Sequence, residues 1–216
     1  MTDAREKYEQ ALKVFSEPPT SSGKQLMVAI CLTKLGDYPN AQRLYTMSLQ
    51  RSLEDRLWHL SGEIHRLVDT YVLANQQAFY LQISEQVDAY RLDPRSGSLS
   101  SLYAYALIEL LSGRYEEAAG YVLELLKKPK IKWTFAAGST IETLITREQL
   151  AFDDALDGLL RAHRGMAKHG GLRETPEGFL CLPAMSLSRM ALLHGLEVSA
   201  ENEYLSKGYL DYLFQQ

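Results

Sequence analysis

The phrase Gly36-Asp-Tyr-Pro-Asn-Ala41 returns as Gly113-Arg-Tyr-Glu-Glu-Ala118, and this repeat constrains the fold more than anything else in the chain. A glycine ends a helix in the left-handed conformation without a Cβ penalty, and a small alanine early in the next helix lets the two axes approach. The phrase therefore predicts the corner of an αα-hairpin, with the tyrosine laid over the turn. Ala78 and Ala155 extend the series to four alanines, spaced 37, 40 and 37 residues apart. Hairpins at such a period cannot bury their apolar stripes alone, so neighbours must stack and share a core.

Helical patterning continues along the rest of the chain, and no segment sustains the two-residue alternation of a half-buried strand. Leu53, Leu57, Leu60, Ile64 and Val68 make the clearest stripe and predict a long helix over 52–73. Further helices are expected over 2–15, 24–35, 39–51, 76–90, 99–111, 115–128, 182–194 and 204–214. One or two more fill 140–167, broken near Gln149. The expected architecture is one all-α domain over 1–216, built of stacked antiparallel αα-hairpins in a right-handed superhelical or tetratricopeptide-like array. Breaker residues predict a loop at 17–24 and irregular connections at 129–138 and 165–178.

Composition narrows the class. With 216 residues and 46% hydrophobic content, the chain can bury a sizeable core. The first ten residues are charged and lack the apolar run of a secretory signal. The apolar stretch Phe179–Leu196 carries Arg189 and His194, short of the roughly 20 clean residues a bilayer needs. The reading is a soluble, cytoplasmic protein. Cys31 and Cys181 sit in apolar periodic segments and are expected to be buried free thiols. A formal charge of -4 disfavours nucleic acid and suits a basic protein partner.

Reagent-bearing motifs are not evident. His59 and His65 are six apart, as are His163 and His169, a spacing that puts each pair on opposite faces of one helix. No zinc, calcium, phosphate-loop or nucleophile-elbow phrase occurs, so no metal, cofactor or catalytic residue is assigned. An enzyme would need a pocket that gathers His163 or His169 with carboxylates from another helix. The run Lys127-Lys-Pro-Lys-Ile-Lys-Trp133 could grip phosphates, but lysines before a proline are ordinary chemistry for a helix C-terminus. Asp153, Asp154 and Asp157 form the densest acidic cluster, which fits either a helix first turn or a face that docks on a basic partner. Most of the thirteen tyrosines are expected in the core, Tyr38, Tyr45, Tyr115 and Tyr121 among them.

The last third carries a further signal. The segment from Phe179 to Leu210 resembles the closing signature of the bacterial immunity protein 49 family, found beside polymorphic toxins. In that pattern an alanine-bearing apolar helix ends in glycine, an acidic stretch follows, and a Tyr-Leu-Pro phrase closes it. Ala191, Gly195, Glu197, Glu201, Glu203, Tyr204 and Leu205 match, while Ser206 stands where the proline would be. Upstream, Phe152-Asp-Asp-Ala-Leu-Asp-Gly-Leu-Leu-Arg-Ala-His-Arg164 is similar to the family's aspartate–leucine–histidine helix. The resemblance implies an all-helical protein that binds and neutralises a cognate toxin, such as a basic nuclease domain. The residues expected at such a surface are Asp153, Asp154, Asp157, Glu174 and Glu177, with Trp58 or Trp133 as aromatic anchors. The alternative is a tetratricopeptide-like adaptor or chaperone that takes a peptide in its groove, although that repeat's tryptophan and terminal proline are missing. Homo-oligomerisation is compatible with either.

Overall fold

The computed structural model describes residues 4–14, 19–55, 63–91 and 97–216. Among the described residues there are eleven α-helices and no strand, so the chain is all-α. The helices are α1 (Ala4–Val14), α2 (Ser22–Leu35), α3 (Tyr38–Asp55), α4 (Ile64–Ala74), α5 (Tyr80–Arg91) and α6 (Leu99–Leu111). They continue as α7 (Tyr115–Leu126), α8 (Lys132–Thr146), α9 (Gln149–His169), α10 (Leu182–Leu193) and α11 (Lys207–Phe214). Short 3-10 turns occupy Gln77–Phe79 and Pro176–Gly178. No helix among the described residues is long and apolar enough to cross a membrane.

Both corner glycines behave as their phrase demands. Gly36 and Gly113 have φ of 85° and 72°, in the left-handed region. After each, the next amide reaches back five residues, Asp37 to the Leu32 carbonyl and Arg114 to the Glu109 carbonyl, at 3.0 and 2.9 Å. Gly195 ends α10 in the same way, with Leu196 bonded to Ala191 at 2.9 Å. This closure satisfies carbonyls that a helix end would otherwise leave bare. Ala41 and Ala118 are fully buried where each corner returns. The other two alanines are not their equivalents: Ala78 lies exposed in a 3-10 turn and Ala155 is half-buried on α9. The regular spacing of four thus reflects two true corners and two coincidences.

Several boundaries differ from the sequence expectation. The stretch 129–138, expected to be irregular, is helical from Lys132 onward. Gly138 is no breaker there; it lets α8 lie against α7, since a Cβ at that position would stand 3.0 Å from the Leu125 Cβ. The irregular connection expected over 165–178 shrinks, because α9 continues to His169 and the turn begins at Gly170. The expected break near Gln149 falls at Arg147, a left-handed cap with φ of 58°. Residues 56–62 of the predicted long helix lie outside the described residues.

Consecutive helices pair closely at α2/α3, α6/α7 and α8/α9, the short connections turning each chain back on itself. The core is built around three helices buried on nearly every side. In α4 every residue from Leu67 to Ala74 is buried, in α6 every residue from Tyr103 to Leu110, and in α10 every residue from Ala184 to Ala191. Helices enclosed all round belong at the centre of a domain. α10 packs on α4 and α8 although it follows α4 by more than a hundred residues. α11 then seals the end through an aromatic seam, with Tyr209 ring centroids 5.6 Å from Tyr45 and 5.9 Å from Tyr38. The Tyr209 hydroxyl donates to the Leu73 carbonyl at 2.8 Å, tying that seam to α4.

Candidate functional site

The expected binding residues are dispersed. Asp153 is half-buried and tied, accepting from the Ser199 hydroxyl at 2.7 Å and the Gln149 amide at 3.2 Å. Asp157 is ion-paired with Arg161 one turn on. Asp154 is exposed but shares its groove with Lys132 and Arg161. Of the three aspartates, Asp157 is therefore charge-paired within α9 and Asp153 is held by neutral donors. Glu174 is exposed in the turn after α9. Glu177 points inward, 8% exposed, and takes both oxygens to Arg66 at 2.7 and 2.8 Å. Trp133 is half-buried, its ring 6.0 Å from Tyr103 and 5.9 Å from His65. Trp58 lies outside the described residues.

Glu177 and Trp133 converge on one cavity of about 250 Å³, bordered also by His65, Asp69, His163 and Cys181. The ring of helices that positions them is α4, α8, α9 and α10, with the 3-10 turn at Pro176–Gly178. Asp69 is completely buried in the apolar run of α4. Its Oδ1 accepts from the Tyr103 hydroxyl at 2.7 Å, while Oδ2 has no partner. Burial pushes its carboxyl up to about 7, against the pull of the Tyr103 hydrogen bond. The Ser186 hydroxyl of α10 reaches the Asp69 carbonyl at 3.4 Å.

His163 is buried on α9, with Nε2 unpartnered and the ring edge-on to Tyr204 at 4.9 Å. Burial holds it down to about 4, opposed by a backbone hydrogen bond at Gly178, so it is neutral at ordinary pH. Glu177 is raised by the same desolvation, offset by Arg66. The Cys181 thiol is pushed up to about 12 by burial, which leaves no thiolate for nucleophilic work. No group of three or more histidine, cysteine or carboxylate side chains suited to a metal occurs among the described residues. Chemically the cavity is bordered by a carboxyl raised toward neutrality and by an imidazole that stays neutral. His163 thus joins carboxylates from other elements, whereas His169 is exposed at the end of α9.

Asp69 escaped the sequence reading because its neighbours satisfy the helical stripe. The available signal was a lone carboxylate inside the otherwise uncharged Leu67–Ala74 run.

A second concavity lies open between α3 and α5. It has a volume of about 510 Å³, with Leu53, Phe79 and Ala89 beside Gln50, Glu54, Gln82, Glu85 and Gln86. No lysine or arginine lines it among the described residues, although Arg51, one turn back on α3, pairs with Glu54 at 3.8 Å. Leu81, 71% exposed, flanks it one turn before Glu85. Because its acids come from two helices, no local cluster in the sequence announces the groove.

No family model, no curated protein and no solved structure matches this chain.

Proposed function

We propose that the chain is a binding protein of the immunity type, neutralising a cognate toxin domain by covering its active site. The observation that carries this reading is the α3–α5 groove. Its two glutamates, three glutamines and apolar floor form an acidic, hydrogen-bonding concavity open to solvent. Such a surface attracts the basic rim of a nuclease-like domain, speeds encounter and sets register. Amide side chains supply adaptable hydrogen bonds, and Phe79 with Leu53 supplies the apolar contact that most partner-binding centres need. Exposed Asp154 and Glu174 extend the negative charge elsewhere on the molecule. The similarity of the C-terminal third to immunity protein 49 supports the same role, and the role implies residence in the cytoplasm.

A toxin encoded next to this chain is the partner to test. Association measured at low and moderate salt should slow at least about tenfold when Glu54 and Glu85 are both changed to lysine, and its salt dependence should flatten. The triple reversal of Asp153, Asp154 and Asp157 should do less. Unaltered association of the groove variant would remove the groove from the mechanism. Binding of linear peptides in place of a folded domain would favour the adaptor reading.

A second reading, proton-transfer chemistry on a small molecule, is favoured by the cavity that joins His163 to Asp69 and Glu177. Incubating the protein with a host metabolite extract and following it by NMR tests that idea. Consumption of a compound by the wild type and its loss in Asp69→Asn would support it; an unchanged extract would discard it.

A further inference from the structure

Arg189 is the one buried lysine or arginine among the described residues. It sits on α10 with 6% of its surface exposed. Nη2 donates to the Asn75 Oδ1 at 2.7 Å, and Nη1, enclosed away from solvent, has no partner. Among the described residues no carboxylate pairs with it, and the neutral Asn75 carboxamide oxygen is the acceptor that faces it. Burial accordingly pulls its pKa below the ordinary arginine value. A buried cation is normally paired, because leaving it alone costs the full desolvation penalty.

The two buried glutamates do have charged partners. Glu177 holds Arg66, and the buried Glu109 accepts from Arg91 at 2.8 Å and from Arg114. Arg189 departs from that rule at the edge of a cavity of about 740 Å³ formed by α4, the turn after it, α6 and α10. Among the described residues that border this space there is no aspartate or glutamate. Donor-bearing Asn75, Gln76, Gln77 and Arg114 line one part, and Leu111, Met190 and Leu193 line another. Asn75 is itself placed by a left-handed cap, φ 55°, which turns its side chain oxygen to the guanidinium and orients the fork.

We propose that this cavity binds a small ligand carrying an oxyanion, a carboxylate or a phosphate, which seats on Arg189 while its apolar body lies against Leu111, Met190 and Leu193. A guanidinium presents parallel N–H groups matched to the two oxygens of either anion. The anion supplies the counter-charge that the protein omits, and the volume falls within the roughly 300–1,000 Å³ of small-molecule sites. This site is separate from the α3–α5 groove, so it stands whether or not that groove meets a toxin.

Calorimetric titration of the full chain in low-chloride buffer, with benzoate and separately with inorganic phosphate, tests the proposal. Saturable one-site binding of either anion below roughly 10 mM is expected, and which of the two binds identifies the source of the oxyanion. Arg189→Gln should weaken it at least about tenfold. Gln76→Glu places a carboxylate in the same cavity; it should abolish anion binding and raise the thermal midpoint, and it carries the test if Arg189→Gln does not fold. Failure of both anions to bind, binding that survives in Arg189→Gln, or a Gln76→Glu variant with unchanged binding and midpoint would each overturn the site.

Discussion

Asp69 and His163 share a cavity but push stability in opposite directions with pH. The carboxyl is raised from 3.8 to about 7, so in that range the folded chain keeps a proton that the unfolded chain has released. Stability from this group is present below pH 4 and is lost as pH rises through 7. The imidazole is lowered from 6.5 to about 4, so the unfolded chain holds a proton that the folded chain lacks. Its contribution is present above 6.5 and is lost as pH falls through 4. Between about pH 4 and 6.5 the two nearly cancel, which hides both from any measurement on the wild type. Single variants should expose them. Urea unfolding of Asp69→Asn is expected to gain roughly 2 kcal/mol between pH 4.5 and 6.5, and His163→Gln to lose a similar amount. Glu177, Arg66 and His65 border the same cavity and are common to all three proteins, so the comparison removes their share. Parallel pH profiles would mean that neither group is held in the protonation state its burial dictates. A sequence cannot display such a pair, because Asp69 and His163 lie 94 positions apart and border one cavity through tertiary packing alone.

At the scale of elements, the legible features were those with local causes. Gly36, Gly113 and Gly195 terminate helices because a left-handed residue does so wherever it sits. The first half of α8 was not legible for the opposite reason: Pro129 and Gly138 read as breakers, yet Pro129 precedes the helix and Gly138 serves its contact with α7. Gly208 belongs with Gly138. A Cβ on Gly208 would stand 2.1 Å from the Tyr38 hydroxyl oxygen, so the corner tyrosine and the last helix fit only through this glycine. Gly113→Ala should cost about 1–2 kcal/mol, the strain of a left-handed side chain. Gly208→Ala should cost about 1–3 kcal/mol by overpacking, and Tyr38→Phe in that background should restore part of it, since the hydroxyl makes the closest contact. Denaturant titration of the four proteins measures the coupling. Additive losses would show that α11 shifts freely on α3.

At the scale of the whole molecule, the all-α class and the paired hairpins follow from patterns repeated along the chain, whereas the position of α10 does not. A linear array is stabilised by neighbour contacts, so removing its last units leaves the rest folded. Here the helix nearest the C-terminus but one is enclosed on nearly every side and packs on both α4 and α8. Its apolar residues Leu182, Met185, Leu187, Met190 and Ala191 are all buried, and so are the faces of α4 and α8 that receive them. Deleting residues 179–216 would open those faces to water, and each large side chain left without its partner costs about 1.5–3 kcal/mol of burial. Several such losses exceed the roughly 5–15 kcal/mol that holds a domain together. The truncated chain should therefore lack a cooperative thermal transition and should bind a dye for exposed apolar surface. A shortened protein that still unfolds sharply, with α1–α9 intact by amide exchange, would mean that α10 caps a self-sufficient array instead of completing its core.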